Sequence, residues 1–252
     1  MKQRWTIAVW VLVALFALSA AKDLVIKVSV EKGCEFATGL KIGIDSMNVG
    51  IFRTSVRIKG LKVFNPRQFK DRVMADMPEI YVDYDLPAIF AGNIHLRDLR
   101  IKLKKFVVVK NESGELNLNS LKVVKAGNKG VKPEEKSGKA PNIRIDSLEL
   151  MIDKAFYKDY SKGPEPSVKE FNVNLNGHYT NITNPYALVS LIVVKAMANT
   201  SISGLANFDI NGLKGTIGDA LSRTTDIAGK ATGAIGDIFK NITGSDNVNE
   251  RS

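Results

Sequence analysis

Along much of this chain apolar and polar residues alternate, slip by one position, and then alternate again. In IRIDSLEL, Ile143 and Ile145 set a period of two, but the next apolar residues are Leu148 and Leu150. The same slip separates Ile42 and Ile44 from Met47 and Val49, and Val56 and Ile58 from Leu61 and Val63. It recurs between Ile94, Leu96 and Leu99, Ile101, Leu103, and between Leu116, Leu118 and Leu121, Val123. Side chains on a strand change face at every residue, so one inserted residue sends the rest to the wrong side. A β-bulge, with two residues opposite one, restores the face and bends the strand. Repeated slips therefore predict bulges at similar depth in successive strands. The expected fold is mainly β with α: a long, curved antiparallel sheet with an apolar inner groove, plus C-terminal helices.

Two further segments alternate without a slip. PEIYVDYDL, from Pro78, reads as a strand with Ile80, Val82, Tyr84 and Leu86 on one face and Asp83 and Asp85 on the other. EFNVNL places Phe171, Val173 and Leu175 together. The inner wall is expected to comprise Ile80, Val82, Leu86, Ile94, Leu96, Leu99, Ile101, Ile145 and Leu148. Such a wall has to be covered, either by a second layer of the protein or by lipid chains. NPRQF, from Asn65, and NESG, from Asn111, read as turns.

The chain divides into residues 1–22, an anchor; 23–38, a helical connector; 39–124, a first sheet block; and 125–142, a Lys/Gly/Pro-rich flexible linker. A second sheet block follows over 143–183, then a helical region over 184–252 with one further strand at SISGLANFDI. NPYALVSLIVVKAMAN opens with an Asn cap and a proline at the first helical position, and its apolar run is too short to span a bilayer. From Ile217 the apolar residues recur every three or four, on a helix weakened by Gly218, Gly229, Gly233 and Gly236.

After Lys2 and Arg4, the stretch from Trp5 to Ala21 carries no charge, with Trp5, Trp10, Leu12, Leu15, Phe16 and Leu18 as its bulk. Its roughly 17 residues reach about 25 Å as a helix, at the short end of a membrane span. A cleaved signal ending at Ser19–Ala21 and a buried core helix are the alternatives. The flanking cations favour a cytoplasmic N-terminus and a translocated body. The net charge of +10 asks for an anionic partner. With the body across the membrane, nucleic acid is excluded and a phospholipid surface fits.

Signals for chemistry are sparse. His95 and His178 lack metal-ligand spacing, and Cys34 is the single cysteine, without a neighbouring histidine. Asp83 and Asp85 share a strand face with no partner acid, base or ligand. No phosphate-cradling glycine loop or nucleophile elbow is present. No catalytic residue, metal or cofactor is expected.

The ordered set TGLKIGIDSM, GLKVFNPRQF, PEIYVDYDL, AGNIHLRDLRIKL and VVKNESGELNL, after an N-terminal anchor, resembles the AsmA family of bacterial envelope proteins. Its matching positions include Gly39, Gly60, Asn65, Pro66, Phe69, Gly92, Asn111, Gly114 and Asn117. The resemblance covers residues 1 to about 125, with IRIDSLEL similar to a second sheet block. It implies a single-pass inner-membrane protein with a periplasmic body and a hydrophobic groove. It further implies a part in phospholipid traffic or outer-membrane assembly, related to the bridge-like lipid carriers. About ten strands at 4.8 Å spacing would extend only about 50 Å, too short for one copy to cross a periplasm. Self-stacking or other envelope partners would then be needed. The competing expectation is a scaffold or assembly factor whose sheet is covered by its own C-terminal helix.

Overall fold

The computed structural model describes residues 23–24, 26–50, 53–127 and 142–222. A single six-stranded sheet runs in chain order: β1 (Ile42–Gly50), β2 (Ser55–Phe64), β3 (Val73–Tyr84), β4 (Ile94–Lys110), β5 (Ile143–Asp159) and β6 (Ser167–Ile182). Helix α1 covers 26–38. A short α2 (Leu86–Phe90) links β3 to β4, and a 3-10 turn (Asn117–Ser120) precedes α3 (Lys122–Gly127). Helices α4 (Pro185–Met197), α5 (Ile202–Ala206) and α6 (Asn211–Ser222) follow the sheet.

The expected antiparallel sheet is mixed, because β4 and β5 pair parallel. The Asn111–Gly114 turn leaves the far end of β4, and the chain passes through α3 and residues 128–141 before β5 starts beside the start of β4. A parallel neighbour needs such a crossover. The two expected sheet blocks are thus one sheet, and six strands rather than ten make it about 24 Å wide.

The slips are real, but most are shared between neighbours. In β1 and β2 the register stays constant from Ile42↔Val63 to Gly50↔Ser55, with Asp45 and Gly60 opposite each other and outside the pairing. Gly60 in turn falls opposite Pro78 of β3. Met77 and Pro78 drop out of the β3–β4 ladder opposite Lys104 and Leu103, so the slip steps over by one residue to Lys104 and Asp153, which drop out of the β4–β5 ladder, and on to Asn174 of β6. A second level joins Arg97, Asp146 and Asn181 across β4, β5 and β6. When adjacent strands slip together, the apolar face is kept without changing register. Where one does not slip, the register shifts: at Asp83/Tyr84 against β4, and at Ile152/Lys154 against β6. There β6 absorbs the difference with Asn174 at φ +46°. These one-sided places are β-bulges in the strict sense.

One slip was misplaced. Leu116, Leu118, Leu121 and Val123 are buried, but they lie on and around the 3-10 turn and α3 instead of on a strand. Similarly, Leu86 begins α2 instead of ending β3, with Asp85 capping that helix through Ala88 N at 2.9 Å. The strand expected over Ser201–Ile210 is α5, closed by Asn207 at φ +49°.

At the far end of the sheet, Phe106 and Val108 face the main core. Val107 and Val109 join Phe69 and Tyr160 in a second cluster on the opposite face. The Asn65–Pro66 turn supplies Phe69 to this cluster. Asn117, fully buried, accepts from Val109 N and donates to Val107 O and Asn65 Oδ1 at 2.8–2.9 Å. Edge strand β1 is guarded by α1 and the residues leading into it: Ile42 N and Ile44 N donate to Glu35 and Glu31 of α1, and Val49 N to Asp23 just before it, at 3.0–3.4 Å. Carboxylates there block addition of a foreign strand.

Candidate functional site

The apolar wall is the feature that any function of this body has to reckon with. On β5, Ile145, Leu148, Leu150, Ile152 and Ala155 have no exposure, although two slips interrupt their spacing. Ile80, Leu99 and Ile101 are buried beside them. Val82, Leu86 and Leu96 are half-buried at the margin of the same core. Ile94, at the start of β4, is 39% exposed and lies on the rim instead of in the wall. Eight of the nine expected lining residues therefore belong to one apolar face.

The protein itself covers that face. Helix α4 packs on β5 and β6, α5 on β4 and β5, and α6 on α4 and β6. The local sequence explains α4: Asn184 Oδ1 accepts from Tyr186 N at 2.8 Å, Pro185 supplies the first turn, and apolar residues ring the helix. A helix apolar on all sides has to be buried. Its covering residues include Tyr186, Leu191, Val194 and Met197. Tyr157 of β5 pins α5 by donating to Leu205 O at 3.2 Å. Burial, with Asp159 nearby, pushes this phenol up to about 12. Where α1, α3 and α4 meet, Lys122 Nζ donates to Phe36 O and lies 4.1 Å from the Phe36 ring centre and 5.5 Å from that of Tyr186. Two hydroxyls of the cover, Tyr186 Oη and Ser190 Oγ, are buried without a hydrogen-bond partner.

Groups that could carry chemistry are tied into the scaffold. His95 Nε2 lies 2.7 Å from Asp146 Oδ2, and its Nδ1 3.9 Å from Asp85. Burial works to raise the pKa of Asp146, but hydrogen bonds from Arg144 and His95 more than offset this and hold it below the usual carboxylate range. Asp83 pairs with Arg97 at 2.7 Å, so the two strand-face carboxylates have separate partners. Cys34 as a residue is half-buried, but burial of its thiol, with a smaller push from Glu31 and Glu35, drives the thiol up to about 11 and leaves it protonated at neutral pH. Among the described residues no cluster of His, Cys, Asp and Glu could hold a metal. A depression of about 520 Å³ on the outer face is lined by Arg57, Glu79, Tyr81, Arg100, Lys102 and Glu149, a polar surface unsuited to acyl chains.

Among the described residues no helix is long and apolar enough to cross a membrane. The expected anchor residues Trp5, Trp10, Leu12, Leu15, Phe16 and Leu18 lie outside them. Of the expected site, the wall could be read from the sequence, whereas the seating of α4–α6 across it required the tertiary structure. No protein-family model, curated protein or solved structure matches the chain.

Proposed function

We propose that this chain is a membrane-anchored, non-catalytic scaffold or assembly factor of a bacterial envelope. Its uncharged N-terminal stretch holds it in the inner membrane, and its body stands in the periplasm. The observation that carries this reading is the closed wall: Ile145, Leu148, Leu150 and Ile152 have no exposure beneath helices the chain supplies itself. The ordered AsmA-like segments support the compartment, and the dispersal of His95, Asp83 and Cys34 among structural partners supports a non-catalytic role. Native mass spectrometry of the full chain, released from mild detergent with phospholipid present, is the test. A lipid-free protein is expected; a stoichiometric phospholipid adduct overturns the reading.

Lipid handling is the second reading, favoured by the two unpartnered hydroxyls of α4, which make the cover a poorer fit than the wall beneath it. Lifting α4–α6 would offer the wall from Ile80 to Leu148 to acyl chains, at about 0.8 kcal/mol per buried methylene. Removing residues 184–252, and with them the whole cover of α4–α6, separates the two. Lipid uptake by the shortened chain favours transport, and aggregation without lipid favours the scaffold.

A further inference from the structure

We propose that the α2 rim of the sheet is a membrane-contact surface that seats in the lipid interface beside the N-terminal anchor; this rests on the anchor reading. The described residues include six exposed large hydrophobic side chains: Leu24, Val28, Ile89, Phe90, Ile94 and Val168. All but Val168 gather at one end of the sheet. Hydrogen bonds trace that end across the strands. Val49 N donates to Asp23, Tyr84 Oη to Gly50 O, Asp85 N to His95 O, and Ile94 N to Asn142 O, all at 2.9–3.3 Å. The beginnings of α1, β4 and β5 and the ends of β1 and β3 therefore form one rim. Three strand spacings separate β1 from β4, so the rim is about 14 Å across between those two strands.

The occupant follows from where the chain enters. Residue 22 is bonded to Asp23, so the uncharged run ending at Ala21 is delivered to this same rim. Phe90 is 83% exposed on a helix that buries none of its residues. That helix is nevertheless held firmly: Asp85 caps it, and Asn93 N donates to Ala88 O at 2.9 Å. A rigid, short, apolar prominence beside a membrane entry point suits an interface in which apolar groups sit about 5–10 Å deep. The rim's Arg97 and Arg144 are paired with Asp83 and Asp146, whereas Arg53 lies exposed on the turn between β1 and β2 at the same end, so uncharged phosphatidylcholine vesicles isolate the apolar part of the seating.

The test uses the full chain carrying Cys34→Ser, reconstituted in phosphatidylcholine vesicles, with an environment-sensitive fluorophore on Phe90→Cys or, at the opposite end, on Glu112→Cys. Flotation with the vesicles reports anchoring independently. Lipids bearing a nitroxide at the headgroup–acyl boundary are expected to remove roughly half the emission at position 90, at the 5–10 Å depth of an interfacial group, and to leave position 112 unchanged. A chain that floats while position 90 stays as unquenched as 112 overturns the rim proposal and leaves the anchor intact. A chain that does not float overturns both. Quenching at 90 that falls with Ile89→Ser and Ile94→Ser while the chain still floats supports apolar seating of the rim; quenching that survives both substitutions means the anchor alone holds position 90 near the lipid and overturns it.

Discussion

Replacing Gly60 with alanine tests the shared slip where β1 and β2 face each other. Gly60 has φ +64°, and a Cβ there would lie 2.0 Å from Asp45 Oδ2, 2.6 Å from its Cγ and 2.9 Å from its Cβ. An L-residue in the left-handed region costs about 1–2 kcal/mol. Relieving the overlap adds about 1–3 kcal/mol, because the Asp45 backbone has to shift as well as its carboxylate. The expected total is about 2–5 kcal/mol. Gly92 is the control: its φ is +81° but nothing lies within 4 Å of its added Cβ, so only the conformational cost of about 1–2 kcal/mol applies. Asp45→Ala alone gives up an exposed ion pair with Lys62 at 3.3 Å and costs less than about 1 kcal/mol. Combined with Gly60→Ala, it removes the two closest atoms and should recover much of the overlap. Urea unfolding of the four variants in mild detergent measures each difference. If Gly60→Ala is no worse than Gly92→Ala, or the double variant is additive within about 0.5 kcal/mol, the two residues do not face each other as described.

Asn117→Ala is expected to destabilise by about 3 kcal/mol or more, since it strands the buried Val109 N–H, Val107 carbonyl and Asn65 amide oxygen. A loss below about 1 kcal/mol in the same urea assay would mean the network contributes little. Tyr186→Phe should stabilise by about 1 kcal/mol by deleting a buried, unpartnered hydroxyl, visible as a higher midpoint; a lower one would reveal a partner for that oxygen. Asp146 titrates below its usual range when folded, so its bonds to Arg144 and His95 stabilise above the ordinary carboxylate pKa, and this contribution is lost as pH falls through the lowered value. His95→Ala should raise the Asp146 carboxyl titration seen by NMR, and an unmoved titration would remove His95 from that account.

The wall was legible because burial writes itself into the sequence at every strand residue. Ile58 and Leu61 stand three apart and are both buried, a spacing an unkinked strand cannot produce. The slip in β3 is hidden because it falls between Met77 and Ile80, across Pro78, the residue at which the expected strand begins. In β6, regular alternation of Phe171, Val173 and Leu175 concealed a bulge, because Asn174 absorbs it through its backbone. Leu116 to Val123 shows why short apolar patterns mislead: spacings of two and three fit a slipped strand and a 3-10 turn alike. The parallel pairing of β4 with β5 follows from where the crossover ends, which no local pattern records. The cover was half legible: α4's apolar character demands burial, but its seat on β5 and β6 depends on contacts far apart in the chain.

Cysteine protection across a slip tests the central claim most directly. In a Cys34→Ser background, Ile58→Cys, Lys59→Cys and Leu61→Cys would be exposed in turn to a water-soluble maleimide, with Leu150→Cys marking the wall under the helices. The account predicts rapid labelling at Lys59 and protection at Ile58, Leu61 and Leu150 until the protein unfolds. Leu61 reacting as fast as Lys59 would contradict the kink, and Leu150 reacting in the folded chain would contradict the closed wall.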